Sequence, residues 1–200
     1  VSSVVDLCYS CHYQEKKRFD KVTRHPKVKE GACTACHNPH GTETKKLLLS
    51  KEEELCFKCH SNLLQTVGEA GMHPVFKEGR CLSCHDAHAS NNIKQLIAEG
   101  GDLCYNCHKD TKVGLGIAKY PHKPAIEEKC IACHRPHGSK IKGLLPRPLK
   151  SLCLSCHTNM ENGLKEKDVV AHKPVIDGLC DQCHSSHYAD ERGLLKAKGD

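Results

Sequence analysis

The chain has neither of the long hydrophobic patterns that usually define a fold. Apolar residues do not recur every three or four positions over a long stretch, and they do not alternate with polar ones as in a half-buried strand. The apolar clusters are short, as in Leu47-Leu48-Leu49. Three patterns ending in Leu-Cys, at 54–56, 102–104 and 151–153, each predict a short helical turn. The expected fold has few secondary structures and is mostly coil with short helices.

The composition leaves this coil without the side chains that normally fill a core. The 200 residues include no Trp, 3 Phe and 5 Tyr, but 16 Cys and 16 His. A chain of this length normally buries well over half of the surface that its unfolded form exposes. The apolar mass of the core must therefore come from something other than side chains.

The cysteines identify that mass. All sixteen fall into eight Cys-x-x-Cys pairs, and a His follows each pair directly. In c-type haem attachment the two thiols add to the vinyl groups on one edge of the porphyrin and the adjacent His ligates the iron. A disulfide framework explains neither the spacing nor the His, and structural zinc gives no reason for a His after every pair.

We therefore predict eight covalently attached c-type haems. The predicted thioether cysteines are Cys8, Cys11, Cys33, Cys36, Cys56, Cys59, Cys81, Cys84, Cys104, Cys107, Cys130, Cys133, Cys153, Cys156, Cys180 and Cys183. The predicted proximal ligands of the iron are His12, His37, His60, His85, His108, His134, His157 and His184.

The spacing of the motifs predicts internal repeats. The first cysteines of successive motifs are 25, 23, 25, 23, 26, 23 and 27 residues apart, so that one repeat contains two motifs. The predicted boundaries are 1–50, 51–98, 99–147 and 148–200. All four dihaem repeats are expected to form one continuous, elongated unit around a chain of haems.

The eight histidines outside the motifs occupy two repeated positions. One lies 13 to 15 residues after the first motif's His and is followed by Pro directly or one residue later, which favours delivery from an extended segment. The other lies three residues after the second motif's His. We predict that these are the distal ligands of eight bis-histidine haems: His25, His40, His73, His88, His122, His137, His172 and His187.

The distal ligands can be assigned to particular haems by geometry. His37 and His40 are three residues apart on a turn and lie on one face, whereas two axial ligands of one iron approach opposite faces of the ring. They must therefore serve different haems. We expect His40 to reach back to the haem of the first motif and His25 to ligate that of the second. The alternative is that His25 reaches a neighbouring repeat or subunit.

Charge and targeting signals add little about partners. The net charge of +6 omits sixteen haem propionates, which bring the total to about −10 with ferrous and about −2 with ferric irons. The basic balance is therefore no argument for nucleic acid. No run of 18 apolar residues is present for a transmembrane segment. Haem c is attached outside the cytoplasmic membrane, so we expect a periplasmic or extracellular chain whose signal peptide has been removed.

The motifs resemble those of the paired CXXCH multihaem cytochromes over essentially the whole chain. Units of that family read Leu-Cys-x-x-Cys-His, then His-x-Pro, then Cys-x-x-Cys-His-x-Pro-His. The copy from Leu152 to His187 matches this arrangement except for Ser186 in place of Pro, and Ala87 is the same departure before His88. The resemblance implies electron transfer in the periplasm or outside the cell, and some multihaem cytochromes polymerise into conductive extracellular filaments.

The number of ligands available to each iron distinguishes three possible functions. An electron conduit requires two ligands on every iron, and the histidine count provides them. An enzyme, the alternative, requires an open iron marked by an altered motif or a missing distal His, and neither is visible. A module without redox activity does not explain why the sixteen histidines match the two axial positions of eight irons. We therefore expect no catalytic residues, and redox partner proteins or extracellular acceptors as partners.

The two ends of the sequence suggest self-association. The segment Val4–Cys8 begins a repeat, and the segment Leu194–Asp200 ends as though another Leu-Cys followed. Repeat arrays normally end in atypical capping units, and neither end resembles one. We expect a head-to-tail contact, which generates a ring or a filament. The alternatives are a soluble octahaem shuttle, a chain that continues, and ends that fray.

Overall fold

Each repeat of the computed structural model, which describes residues 3–66 and 71–197, places similar elements in the same order. Lys198, Gly199 and Asp200 of the tail lie outside the described residues. A helix carries or leads into the first motif, and a second helix follows it. An extended segment then ends at a distal His, and a one-turn helix leads to the second motif. A tight hairpin closes the repeat.

The helices are short in every repeat. They are α1 (Val4–Cys11), α2 (Tyr13–Arg18), α3 (Pro26–Lys29), α4 (Glu52–His60), α5 (Asn62–Thr66), α6 (Pro74–Lys77), α7 (Gly100–Tyr105), α8 (Lys109–Ile117), α9 (Lys123–Ile126), α10 (Cys130–Cys133), α11 (Leu149–Leu154), α12 (Thr158–Gly163), α13 (Lys173–Ile176) and α14 (Cys180–Cys183). In residues 3–66 and 71–197, no helix has the length and apolarity that crossing a membrane requires. The predicted fold class, short helices and coil with little sheet, is confirmed.

Proline sets the backbone of the segments before the second motif. His25 and His73 precede Pro directly and have extended backbone angles, with φ −59° and ψ 137° at His25 and φ −62° and ψ 133° at His73. The proline then starts α3 and α6, where its missing N–H costs nothing. His122 and His172, with Pro two residues later, are extended in the same way. The expected delivery of these histidines from an extended segment is confirmed.

The described residues form two compact units, 3–66 with 73–99 and 71–72 with 100–197. In the first unit, strand β1 (Thr23–Arg24) pairs antiparallel with β2 (Ala89–Ser90). In the second unit, β3 (Tyr120–Pro121) pairs in the same way with β4 (Tyr188–Ala189). Each ladder therefore pairs two segments from different predicted repeats. One segment lies just before a predicted distal His, and the other lies just after a second predicted distal His.

Side chains supply very little of the core. Among the described residues the only buried apolar side chains are Ala89, Tyr105 and Leu115. The accessible surface is 14787 Å², whereas a folded protein of this mass exposes about 9,300 Å². The excess is surface that folding normally buries. Prosthetic groups with large apolar faces must cover it, as the composition predicted.

The hairpin after each second motif contains two consecutive residues in the left-handed region. They are Lys46 and Leu47 (φ 60° and 55°), Lys94 and Gln95 (φ 55° and 54°), Gly143 and Leu144 (φ 77° and 58°), and Gly193 and Leu194 (φ 72° and 59°). Two such residues match the right-handed twist of a tight hairpin. The first position is glycine in two repeats and lysine in the other two, where Cβ crowds the backbone.

Replacing Lys46 or Lys94 by Gly is therefore expected to stabilise the holoprotein. A left-handed conformation costs an L-residue roughly 1–2 kcal/mol, which the greater unfolded-state entropy of glycine partly offsets. The expected net gain is a few tenths to about 1 kcal/mol per site, measured by denaturant unfolding. The reverse change, Gly143→Ala, should destabilise by a similar amount. A loss of stability in Lys46→Gly would contradict this account of the turn.

Candidate haem-binding sites

The cysteines of consecutive motifs lie beside one another within each unit. Burial, together with the neighbouring Cys81 thiol, raises the pKa of the Cys56 thiol to about 12. Burial and the Cys8 thiol raise the pKa of Cys33, and burial and the Cys59 thiol raise that of Cys36. The attachment points of successive haems thus run in the order of the chain.

The second unit repeats this arrangement. Burial and the Cys180 thiol raise the pKa of Cys153, and burial and the Cys156 thiol raise that of Cys133. All sixteen cysteines lie in the described ranges, and none of them forms a disulfide. A structural zinc site requires thiolates, which these raised pKa values disfavour.

The hairpin fixes the proximal histidine of every second motif. The Nδ1 atom of His37 lies 2.9 Å from the carbonyl oxygen of Lys46, and that of His85 lies 2.9 Å from the carbonyl of Lys94. The corresponding distances are 2.8 Å from His134 to Gly143 and 2.8 Å from His184 to Gly193. In each case Nδ1–H can donate to the carbonyl, which leaves the lone pair on Nε2 for a metal.

Four pairs of histidine rings face each other in the two units. The ring centroids of His25 and His60 are 6.2 Å apart, and those of His37 and His88 are 6.0 Å apart. In the second unit the distances are 6.3 Å for His122 with His157 and 5.8 Å for His134 with His187. Each pair contains one histidine from a motif and one that the sequence predicted to be a distal ligand.

These separations fit one iron between the two rings. A metal–imidazole nitrogen bond is about 2 Å long, so two axial imidazoles on one metal have ring centres about 6 to 6.5 Å apart. Direct ring stacking would bring the centres closer. The ring planes are nearly parallel in three pairs, at 9°, 14° and 25°, and are at 73° in the pair of His25 and His60. Rotation about the axial bond leaves the ligand nitrogen in place, so all four pairs fit a bis-histidine haem.

The distal histidines of each unit are joined through their backbones. The His25 N–H donates to the carbonyl of His88 at 2.9 Å, and the His122 N–H donates to the carbonyl of His187 at 2.8 Å. The ladders β1–β2 and β3–β4 continue directly from these bonds. One short ladder thus positions two predicted distal ligands, whose rings face the predicted proximal histidines of two consecutive motifs.

Burial favours the neutral form of two of these histidines in the first unit. Partial burial lowers the pKa of His25 and of His88, and the facing imidazole adds to the effect at each. Asp86 opposes it at His88, without reversing it. Only the neutral imidazole has a lone pair free to bind a metal. The Phe19 ring also stacks on His88, with centroids 4.5 Å apart, and holds its plane.

The expected pairing of His25 with the haem of the second motif was wrong, and the alternative of a ligand that reaches a neighbouring repeat fits. His25 faces His60, of the next repeat's first motif, and not His37 as we expected. The partner of His37 is His88, 51 residues later in the chain. His88 is the equivalent of His40, so the expected reach of His40 back to the first motif of its own repeat does not hold for this position. The reason is the strand ladder, which pairs residues of different repeats. Its strands are only two residues long, so no pattern in the sequence indicated this pairing.

The inference that two histidines of one turn serve different haems is supported. His88 faces His37 and not its own neighbour His85, and His187 faces His134 and not His184. The four pairs do not include the remaining predicted distal ligands, which are His40, His73, His137 and His172. Their role as ligands stays a prediction.

A family model describing a doubled CXXCH motif matches residues 25–65, 73–113, 122–162 and 172–200, which is more than half of the chain. The chain belongs to the doubled CXXCH family. It is a multihaem c-type cytochrome, the class of protein that carries electrons. No curated protein sequence matches it.

The doubled CXXCH unit also has a structural meaning here. The first match begins at His25 and includes His60, and the third begins at His122 and includes His157. Each therefore joins a distal His to the motif whose proximal His it faces. The family's unit starts at the distal His, whereas the repeats predicted from the sequence start before a first motif. Those repeat boundaries stay a prediction.

Sequence reasoning missed two contributors to the sites. The carbonyl acceptors of the hairpin lie nine residues after each second-motif His, and the glycines at 143 and 193 were the available signal. Phe19 has no counterpart in the other repeats, so no repeated pattern pointed to it. Both act by holding a ligand in position.

Proposed function

We propose that this protein is an electron-transfer conduit built from eight bis-histidine haems. Haem c supplies reversible one-electron redox chemistry at each iron. The observation that supports the proposal is the set of four facing histidine pairs, which leave no axial position for a substrate at the four haems concerned. In this proposal the residues of the chain attach each haem through two thioethers and orient both axial imidazoles.

The number of haems is part of this proposal. Eight motifs with sixteen thiols and sixteen histidines support a count of eight haems. The intact mass of the purified protein should exceed that of the polypeptide by eight haems. A smaller number would show that one or more motifs remain unloaded.

The location proposed for the protein follows from the same chemistry. Thioether attachment takes place outside the cytoplasmic membrane, so we propose that the chain works in the periplasm or outside the cell, with redox proteins or extracellular acceptors as partners. Haem-stained fractions of the source cells test this. Haem-loaded protein confined to the cytoplasm would overturn it.

An enzyme with one open iron is the competing function, and carbon monoxide separates the two. Carbon monoxide binds a reduced haem only where an axial position is free or readily vacated. The reduced native protein should keep its spectrum almost unchanged when the gas is added. A spectral shift that saturates at one haem per chain would instead favour a reductase or oxidoreductase.

We propose further that copies of the chain join head to tail into a filament. Support comes from the repeat architecture, in which neighbouring repeats exchange ligands. Negative-stain electron microscopy of the native protein tests this directly. Long uniform fibres would support the filament, whereas single small particles would favour a soluble octahaem shuttle.

A further inference from the structure

His25 and His122 occupy equivalent places in the two units. The His25 N–H donates to the His88 carbonyl at 2.9 Å, and the His122 N–H donates to the His187 carbonyl at 2.8 Å. Each ring faces a predicted proximal His 35 residues later, with centroids 6.2 Å apart in the first unit and 6.3 Å apart in the second. The backbone therefore delivers both imidazoles in the same way.

The two imidazoles are nevertheless held by opposite hydrogen bonds. The Nδ1 atom of His122 lies 2.9 Å from the carbonyl oxygen of Ser186, so Nδ1–H must be the donor. The Nδ1 atom of His25 instead accepts a hydrogen bond from the backbone N–H of Lys27, at 3.3 Å. The ring orientations differ as well. The angle to the facing ring is 14° at His122 and 73° at His25.

The position of the proline accounts for this difference. Residues 25–27 read His-Pro-Lys, so the second residue after the His has an N–H that can reach back to the ring. Residues 122–124 read His-Lys-Pro, and the proline at that position has no N–H to donate. The order His-Lys-Pro therefore excludes the bond that His25 accepts, whereas the order His-Pro-Lys permits it.

The bond from Lys27 opposes the binding of iron by His25. A neutral imidazole carries one proton, and a ring whose Nδ1 accepts a hydrogen bond carries that proton on Nε2. Binding through Nε2 requires the proton on Nδ1, where it would meet the Lys27 N–H and break the bond. At His122 the same binding keeps the bond to Ser186, because the proton is already on Nδ1.

We propose that, of the four haems with facing histidine pairs, the haem at Cys56 and Cys59 is the one at which a small exogenous ligand most readily replaces a histidine. His25 regains the hydrogen bond from Lys27 when it leaves the iron, and His122 has no such compensation. Ligands of ferric iron that are small anions, such as cyanide, fit this exchange. The proposal rests on the proposed function, in which every iron of the native protein has two histidine ligands.

The experiment titrates cyanide into the ferric, haem-loaded protein and follows the infrared C≡N stretch of the bound ligand. Two variants assign the binding phases. Cys56→Ser/Cys59→Ser removes the phase of the haem that His25 would ligate, and Cys153→Ser/Cys156→Ser removes that of the haem that His122 would ligate. One hydrogen bond changes an equilibrium by about two- to tenfold. We expect the first of these phases to have the lower midpoint by about that factor.

The decisive variant reverses the order of two neighbouring residues. Pro26→Lys/Lys27→Pro gives residues 25–27 the order that residues 122–124 have, and it removes the N–H donor without changing the composition. The lysine at 26 would stand four residues before Glu30, as Lys123 stands before Glu127 at 3.9 Å. We expect the midpoint of the haem at Cys56 and Cys59 to rise about two- to tenfold. The ferric spectrum without cyanide should stay low-spin.

The matched control makes the same reversal at residues 74 and 75. His73 also precedes a proline, but its side chain makes no capping hydrogen bond with the described residues at the start of α6. Pro74→Val/Val75→Pro should therefore leave the midpoint of the haem at Cys56 and Cys59 unchanged. An equal rise in both reversed variants would show that the backbone change, and not the bond at His25, sets the midpoint, and would overturn the proposal.

The remaining outcomes separate this exchange from the conduit itself. If the haems of His60 and His157 have equal midpoints, or if Pro26→Lys/Lys27→Pro leaves the midpoint unchanged, the exchange at His25 is overturned and the conduit stands. If the haem of His60 is high-spin in the ferric wild-type protein before cyanide is added, its sixth position is open in the native state. The proposed function then fails.

Discussion

Substituting His88 by Ala is expected to open the iron of the haem at Cys33 and Cys36, and not that of the haem at Cys81 and Cys84 beside it in the sequence. The imidazole of His88 faces His37 at 6.0 Å between centroids, so its loss vacates the axial position opposite His37. The backbone bond from His25 to the His88 carbonyl does not depend on the side chain. The strand ladder should therefore survive, and the ferric protein should show one high-spin haem.

A second pair of variants locates the opened iron. Removing the haem at Cys33 and Cys36 with Cys33→Ser/Cys36→Ser should abolish the high-spin signal that His88→Ala produces. Removing the haem at Cys81 and Cys84 in the same way should leave that signal in place. The reverse pattern would restore the intra-repeat ligation that the sequence suggested. Added imidazole should return the single variant to the low-spin spectrum.

Replacing Gly114 by Ala is expected to destabilise the second unit and to loosen a haem ligand. A Cβ at Gly114 in α8 would lie 2.1 Å from Cζ of Tyr188, far inside van der Waals contact. Tyr188 pairs with Pro121 in the β3–β4 ladder and directly follows His187, which faces His134. Overpacking of this kind costs about 1–3 kcal/mol. Denaturant unfolding of the holoprotein should show the loss, with part of one haem becoming high-spin.

Gly116, two residues later in the same helix, is the matched control. A Cβ there meets no atom within 4 Å. Gly116→Ala should stabilise by roughly 0.5–1 kcal/mol, because alanine loses less backbone entropy in a helix than glycine. The difference between the two variants isolates the contact with Tyr188 from helix propensity. Equal stability changes at both sites would show that the Tyr188 ring moves aside without cost.

Much of the architecture was predictable because covalent chemistry imposes it. Two thioether bonds and one axial ligand require the order Cys-x-x-Cys-His, so the eight attachment motifs follow directly from the sequence. The shortage of apolar side chains indicated that groups other than side chains fill the core. The accessible surface of 14787 Å² and the three buried apolar residues agree with that prediction.

The assignment of ligands to irons was not predictable from the same data. A predicted distal histidine can lie far along the chain from the motif whose haem it would ligate. Which motif it faces is set by a ladder of two-residue strands such as β1 and β2. Strands this short have no alternating pattern, because one or two residues cannot show a period of two. The hairpin carbonyl of Lys46 was equally hidden, since any residue can present a backbone acceptor.

The 51 residues between His37 and His88 also have a consequence for how the protein is made. If the chain is exported as we propose, it emerges from its N-terminus, and the cysteines at 33 and 36 reach the attachment machinery well before His88 does. Maturation then has two separable stages at this site, covalent loading first and axial closure later. We expect a nascent chain halted at residue 66 to carry a haem on each motif that has emerged. The haem at Cys33 and Cys36 should still bind carbon monoxide, because His88 is missing. Until the next repeat arrives, that iron is chemically vulnerable, and prompt export of the following segment protects it.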